Sequence, residues 1–222
     1  MRTHTKETQE SLTPEAALQI LQEGNARFVS NLKVNRNLLQ QVNDTKNGQF
    51  PFATILSCID SRTSAELIFD QGLGDIFSIR VAGNVLNDDI LGSMEFATKV
   101  AGSKVIMVLG HTRCGAVKGA CQGVEMGHLT GLLGKLKPIV KRESRIYADM
   151  DPEVLVEMVA QQNVREVMKQ ILERSDILRS LLEEGKITLA GGIYNVESGV
   201  VNFFEDNDAP LSSQMLAVAA QA

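Results

Sequence analysis

Four short apolar runs punctuate the chain, and between them the apolar residues recur at helical spacing. The runs are Phe52–Ser57, Ile76–Ala82, Lys104–Leu109 and Lys186–Tyr194. Each is short, rich in Ile, Val, Leu or Phe, and bounded by glycine or polar turn residues, as expected of strands buried on both faces. A fifth run, Val200–Phe204, follows the turn residues Glu197, Ser198 and Gly199 and suits an antiparallel return beside the fourth. Helical patterns fill the gaps, at 63–69, 88–101, 114–122, 130–147 and 175–184. Asp151-Pro152-Glu153 opens one more, whose apolar set (Leu155, Met158, Val159, Val167, Met168, Ile171, Leu172) has helical spacing. Near the start, Thr13-Pro14-Glu15 supplies a capping hydroxyl, a proline at the first helical position and an acid. Ala17, Leu18, Ile20, Leu21 and Phe28 then mark one helix face to about Asn31. A polar stretch, helical or irregular, follows to about Asn47, where Asn47-Gly48 signals a turn.

Strands alternating with helices imply right-handed crossovers. The expected fold class is α/β: a mostly parallel central sheet of about four strands plus an antiparallel edge strand, covered by helices and preceded by an N-terminal helical arm. One domain spans 1–222, divided into a mobile start (1–12), the arm (13–46), the α/β core (50–205) and a C-terminal tail (206–222).

Composition narrows the classes. The chain has 222 residues, 44% of them apolar, and a net charge of −5. That excludes a disordered or collagen-like chain and argues against a nucleic-acid partner, whose binding domains are usually basic. The start, MRTHTKETQES, has no apolar signal region, and no run of about 18 apolar residues suggests a membrane span. Three cysteines, an odd and low number, point to a reducing compartment, so the cytoplasm is the expected location.

With three Cys and three His, each can be weighed singly. In open α/β sheets, ligands bind beyond the carboxyl ends of strands. Cys58 directly follows the first predicted strand, and His111 and Cys114 follow the third in Gly110-His-Thr-Arg-Cys-Gly115. If those strands are neighbours, two thiolates and an imidazole converge, a soft to borderline set that suits zinc. Three protein ligands would leave a fourth tetrahedral position for water. The competing reading is two buried core cysteines and a histidine near them. Asp60 and Arg62 lie on the same side of an extended segment as Cys58, and read either as part of one cavity or as a surface pair. Cys121 lies about 10 Å along a helix from Cys114 by helical rise and reads as a core residue. His4, in the mobile start, and His128, in a glycine-rich connection, read as solvated. No Cys-x-x-Cys pair supports a thiol-redox protein.

Together, Cys58-Ile-Asp60-Ser-Arg62 and His111-Thr-Arg-Cys114-Gly115 resemble the motifs of the β-class carbonic anhydrases. The segment Gly74–Asn84, the stretch Gly185–Tyr194 and Ser198-Gly-Val are similar to other parts of that family, so the resemblance runs from about residue 14 to 205. It implies one Zn²⁺ per chain on Cys58, His111 and Cys114, and reversible hydration of carbon dioxide to bicarbonate and a proton. The attacking group would be zinc-bound hydroxide oriented by an Asp60–Arg62 dyad. Gln49, nine residues before Cys58, and the Gly115 N–H would donate to the developing oxyanion. Phe77, Ala82 and Phe96 would line the apolar substrate pocket, although plain core packing explains them as well. The family also implies a homodimer or homotetramer, with N-terminal helices embracing the partner and the pocket at the interface. Two departures are visible: Phe96 replaces a tyrosine, and Ala82 is smaller than the usual branched residue. Relatives with an inhibitory bicarbonate site carry tryptophan three residues before the first ligand; Ile55 stands there, so that site is expected to be missing and Asp60 to rest on Arg62. The rival functions are a carbon disulfide-type hydrolase on the same scaffold and a non-catalytic zinc-stabilised binding protein.

Overall fold

The computed structural model describes residues 3–204. Its centre is set by the two most apolar runs, which become β1 (Ala53–Ser57) and β3 (Val105–His111), both buried along their whole length. They lie side by side and parallel, with Ala53 opposite Val105 and Ser57 opposite Leu109. β2 (Ile76–Arg80) pairs with the outer side of β1, and β4 (Thr188–Tyr194) with the outer side of β3, both parallel. β5 (Val201–Phe203) closes the far edge antiparallel to β4, giving the order β2-β1-β3-β4-β5. Four parallel strands and one antiparallel edge strand match the sequence expectation.

Strand alternation sends successive side chains to opposite faces. Leu56, Ile106 and Val108 face a cluster built on α5 (Asp88–Glu95), α9 (Pro152–Arg174) and α10 (Asp176–Glu183). Ala53, Ile55, Val105, Met107 and Leu109 face the opposite cluster, built on α2 (Pro14–Val29) and the short α4 (Ala65–Ile68). A third cluster lies over the carboxyl ends of the strands. It joins Cys58 and Cys114 to residues of α6 (Gly115–Cys121), α7 (Gly127–Gly134), α8 (Lys137–Ile146) and α9. Each fully buried Ile, Leu, Val or Met contributes roughly 1.5–3 kcal/mol relative to exposure, so these faces supply the main driving force. α9 approaches β3 closely because Gly110 has no side chain: a Cβ there would sit 2.7 Å from Ile193 Cδ1 and Val164 Cγ2.

Several sequence expectations are refined. The helix expected over 130–147 is two helices, α7 and α8, the second opening with Pro138 in its first turn. The one expected over 88–101 is α5 followed by a wider, π-type turn over Phe96–Val100. The start of the chain is corrected more substantially. Residues Lys6–Ser11 form α1, capped by Thr5 and Thr8. Gln9 is buried and donates through Nε2 to Pro51 O (2.7 Å) and Ala101 O (2.8 Å). His4 is half-buried rather than solvated, its ring 5.2 Å from that of Phe52. An amide that satisfies two orphan carbonyls leaves no hydrophobic periodicity to read. The C-terminal tail at 206–222 lies outside the described residues.

The arm is tied to the core by charge. Between α2 and α3 (Leu38–Thr45) the chain has no regular structure, and Asp70, just beyond α4, holds that passage. Its carboxylate accepts from Arg27 Nε (2.7 Å), Arg36 (2.5 Å) and Val34 N (3.3 Å), and its carbonyl from Arg36. Burial would raise the Asp70 pKa, but the two guanidinium hydrogen bonds outweigh it and the carboxyl is held below its ordinary value. Its stabilisation is therefore complete above the ordinary aspartate range and is lost as pH falls through the lowered value. Asp70→Asn removes the carboxylate that Arg27 and Arg36 share and is expected to cost about 3–5 kcal/mol, measured by urea unfolding at neutral pH. The gap between variant and wild type should narrow as pH is lowered into the acid range.

Candidate metal centre

Adjacency of β1 and β3 brings the candidate ligands together. Cys58 is the residue after β1, His111 is the last residue of β3, and Cys114 precedes the first turn of α6. Although 53 residues separate Cys58 from His111 in sequence, their ligand atoms and that of Cys114 all lie within 4.8 Å of one another. All three side chains are buried.

The donor set fits a metal by its chemistry and its hydrogen bonds. His111 Nδ1 lies 2.9 Å from Thr112 O, which can only accept, so Nδ1 carries the proton and Nε2 the lone pair. That Nε2 is buried and has no hydrogen-bond partner. Cys58 Sγ accepts from Gly83 N at 3.3 Å. The Cys114 hydrogen bond pulls the Cys58 thiol well below the ordinary range against the effect of burial, with His111 and the Asp60 and Gly83 amides adding to it. The same contact with Cys58, reinforced by burial, pushes Cys114 up. Metal-ligating sulfurs must be deprotonated, so a divalent cation bound here would make thiolates of both cysteines and release protons.

The loop carrying Asp60 is fixed from three sides. Arg62 donates from Nε to Asp60 Oδ1 and from a terminal nitrogen to Oδ2, both at 2.9 Å, and its backbone N–H reaches Oδ1 at 3.0 Å. Thr63 Oγ1 donates to Cys58 O (3.0 Å) and Asp60 O (2.9 Å). Arg80, at the end of β2, donates to the same two carbonyls at 3.0 and 2.7 Å. Asp60 therefore rests on Arg62, the arrangement expected from the sequence. Its pKa is lowered to about 2, chiefly by the Arg62 side-chain hydrogen bond. Tyr194, opposite His111 across the β3–β4 pair, has its pKa raised, first by burial.

The other expected site residues divide. Gly115 opens α6 beside Cys114, and Ala82 is half-buried next to Gly83. Gln49 is exposed and precedes β1, whereas Cys58 follows it; about 17 Å of strand lies between those ends. Phe77 pairs with Thr54, toward the amino end of β1, and its ring meets that of Phe96 edge-on at 6.4 Å. Those two rings, with Ser78, Ile79, Asp88 and Asp89, line an open cavity of about 680 Å³ along the free edge of β2. One chain thus does not bring Gln49, Phe77 and Phe96 to the cysteine–histidine trio, and a pocket built from all of them is not formed within it. Ile55 is completely buried in the α2-side core. Cys121, expected in the core, is half-buried at the end of α6, packed against the third cluster and outside the trio, and His128 is exposed on α7 rather than in a loop.

Sequence reasoning missed Thr63, Arg80, Gly83, Asn163 and Glu157 as supports of this centre. Asn163 Nδ2 donates to Gly83 O at 2.8 Å, and a Glu157 carboxylate oxygen accepts from Arg113 N at 2.8 Å. The only signals were the Gly83-Asn84 turn and the polar interruption at Asn163 of an apolar helix face. Arg62→Ala is expected to return the Asp60 pKa from about 2 toward 3.8, as followed by carboxyl-carbon NMR. The stabilisation from this contact is present above the ordinary value and lost as pH falls through about 2.

The family model described as "Carbonic anhydrase" matches residues 53–201. Carbonic anhydrase 2 of Mycobacterium tuberculosis is 37% identical over 191 residues, 84% of this chain and 90% of that protein. A carbonic anhydrase of Mycolicibacterium smegmatis is 35% identical over 199 residues, 85% of this chain and 92% of that protein. Among solved structures, the β-carbonic anhydrase CafA of Aspergillus fumigatus superposes with a TM-score of 0.74 at 26% identity, covering 93% of this chain and 96% of its own. A family match over residues 53–201, relatives at 35–37% identity across most of both chains and a β-carbonic anhydrase structure superposing over 93% of the chain show that the chain belongs to the β-class carbonic anhydrase family.

Proposed function

We propose that this protein catalyses the reversible hydration of carbon dioxide to bicarbonate and a proton, using one zinc ion held by Cys58 Sγ, His111 Nε2 and Cys114 Sγ. The observation that carries the reading is the convergence of three buried donor atoms within 4.8 Å, beside a carboxylate locked in place by arginine. Zinc, when bound, supplies a Lewis acid that makes water nucleophilic near neutral pH.

The residues of the chain supply the rest. Arg62 makes three donations to the Asp60 carboxylate, which has about four lone-pair sites. Two fall on Oδ1 and one on Oδ2, so Oδ2 keeps a site for a hydrogen bond from the attacking water. Arg62 also keeps Asp60 ionised, hence an acceptor only. That acceptor fixes the direction of the water's remaining lone pairs toward an incoming carbon atom. In this reading the Gly115 N–H donates to the oxygen on which charge develops.

Gln49, Phe77 and Phe96 reach such a site only from a second copy of the chain, so we include self-association, as a homodimer or homotetramer, in this reading. The outer edge of β2, unpaired among the described residues, and the half-exposed Phe96 ring support it. Among the described residues no helix is long and apolar enough to cross a membrane. Free thiols at Cys58 and Cys114 suit a reducing compartment, and we assign the cytoplasm. A closed, non-catalytic site with Asp60 as fourth ligand is not favoured, because Arg62 occupies that carboxylate.

Stopped-flow hydration of carbon dioxide, with metal content measured on the same sample, tests the proposal. Wild-type protein is expected to carry one zinc per chain and to hydrate carbon dioxide. Cys58→Ser should lose the zinc; stoichiometric zinc in that variant would remove Cys58 from the ligand set. Asp60→Ala should keep its zinc and lose activity by about 10²- to 10⁴-fold. Unchanged turnover with zinc in place would show that Asp60 does not orient the nucleophile.

A further inference from the structure

We infer that Asn163, on α9, is a positioning residue for the Cys58 thiolate and acts on it through the backbone of Gly83. Asn163 is buried, and its Nδ2 donates to Gly83 O at 2.8 Å. The N–H of the same glycine donates to Cys58 Sγ at 3.3 Å. Gly83 has φ +67°, inside the single turn Ala82–Asn84. Glycine is the residue least able to hold its own backbone direction, so an N–H aimed from glycine at a sulfur needs an external anchor. Asn163 is that anchor, buried with its amide donating to the Gly83 carbonyl.

The anchor is rigid because of its helix. The next residue, Val164, packs against the bare Gly110 that leads β3 into His111, so α9 is seated on both halves of the centre at once. One turn and a half earlier on the same helix, Glu157 accepts from Arg113 N within the loop between His111 and Cys114. Arg113 has φ +56°, a conformation rare outside glycine, and this contact helps hold it.

The chemical effect is on the sulfur. An N–H donor withdraws electron density from a thiolate, and with two thiolates on one dication such donors set how much charge the metal receives. Without Asn163 the Gly83 peptide loses its anchor, the N–H···S contact loosens, and Cys58 becomes a stronger electron donor in a less defined position.

This inference rests on the proposed zinc site, and cobalt(II) substitution separates the two. Wild-type protein should take up one cobalt and show a sulfur-to-cobalt charge-transfer band. Failure of wild type to load would overturn the metal site and this inference with it. In Asn163→Leu, which keeps the volume and removes the donor, the band should move to lower energy and metal affinity should fall by about 10- to 100-fold. Asn163→Ala should show the same shift. Val167→Ala, a core truncation on the same helix away from Gly83, should lower stability and leave the band where it is. A loaded wild type with an unmoved band and unchanged affinity in both Asn163 variants would overturn the positioning role. So would a Val167→Ala band shifted equally, since the effect would then be general loosening. If neither Asn163 variant folds, cadmium-113-substituted wild type decides: scalar coupling from the metal to the Gly83 amide proton together with trans-hydrogen-bond coupling between Asn163 Nδ2 and the Gly83 carbonyl carbon supports the relay, and the absence of either overturns it.

Discussion

Two cysteine sulfurs and an imidazole nitrogen held together out of water are the constraint around which this protein is built. Ionised thiolates this close repel each other, and burial removes the solvent that would screen them. The fold answers with fixed dipoles: amide N–H groups from Gly83 and Asp60 on Cys58, and from the start of α6 on Cys114. None of these comes from a mobile side chain. The arrangement is intelligible only with a cation at its centre, and the free Nε2 of His111 supplies the third donor.

The adjacency of β1 and β3 makes that convergence possible, and it was legible only conditionally. Composition and periodicity identified both runs as buried strands, and the motif spacing placed Cys58, His111 and Cys114 at their carboxyl ends. Whether those ends were neighbours depended on strand order, which no local pattern encodes. The resemblance resolved it, and the register of Ser57 with Leu109 accounts for it physically.

The residues that escaped notice share a reason. Asn163 and Arg80 act on backbone carbonyls, and a carbonyl is the same at every position, so no residue type in the sequence announces the contact. Gln9 escaped for the same reason, anchoring a helix with no apolar face. Gln49, Phe77 and Phe96 are a different case: the resemblance placed them in a pocket at an interface between copies, and within one chain Gln49 precedes β1 while the two rings line a cavity at the β2 edge.

His111 belongs to the central strand β3 itself, and Cys58 is one residue beyond its neighbour β1. Ligands on flexible loops would let an ion come and go while the core stayed intact. Here the ion grips the two strands that the whole hydrophobic interior packs around. Occupancy and unfolding are then one thermodynamic cycle: an ion that binds only the folded chain stabilises it by an amount that grows with the logarithm of its free concentration, about 1.4 kcal/mol for each tenfold rise above the dissociation constant. The free zinc level of the surroundings thereby becomes a determinant of how long each molecule of this protein survives.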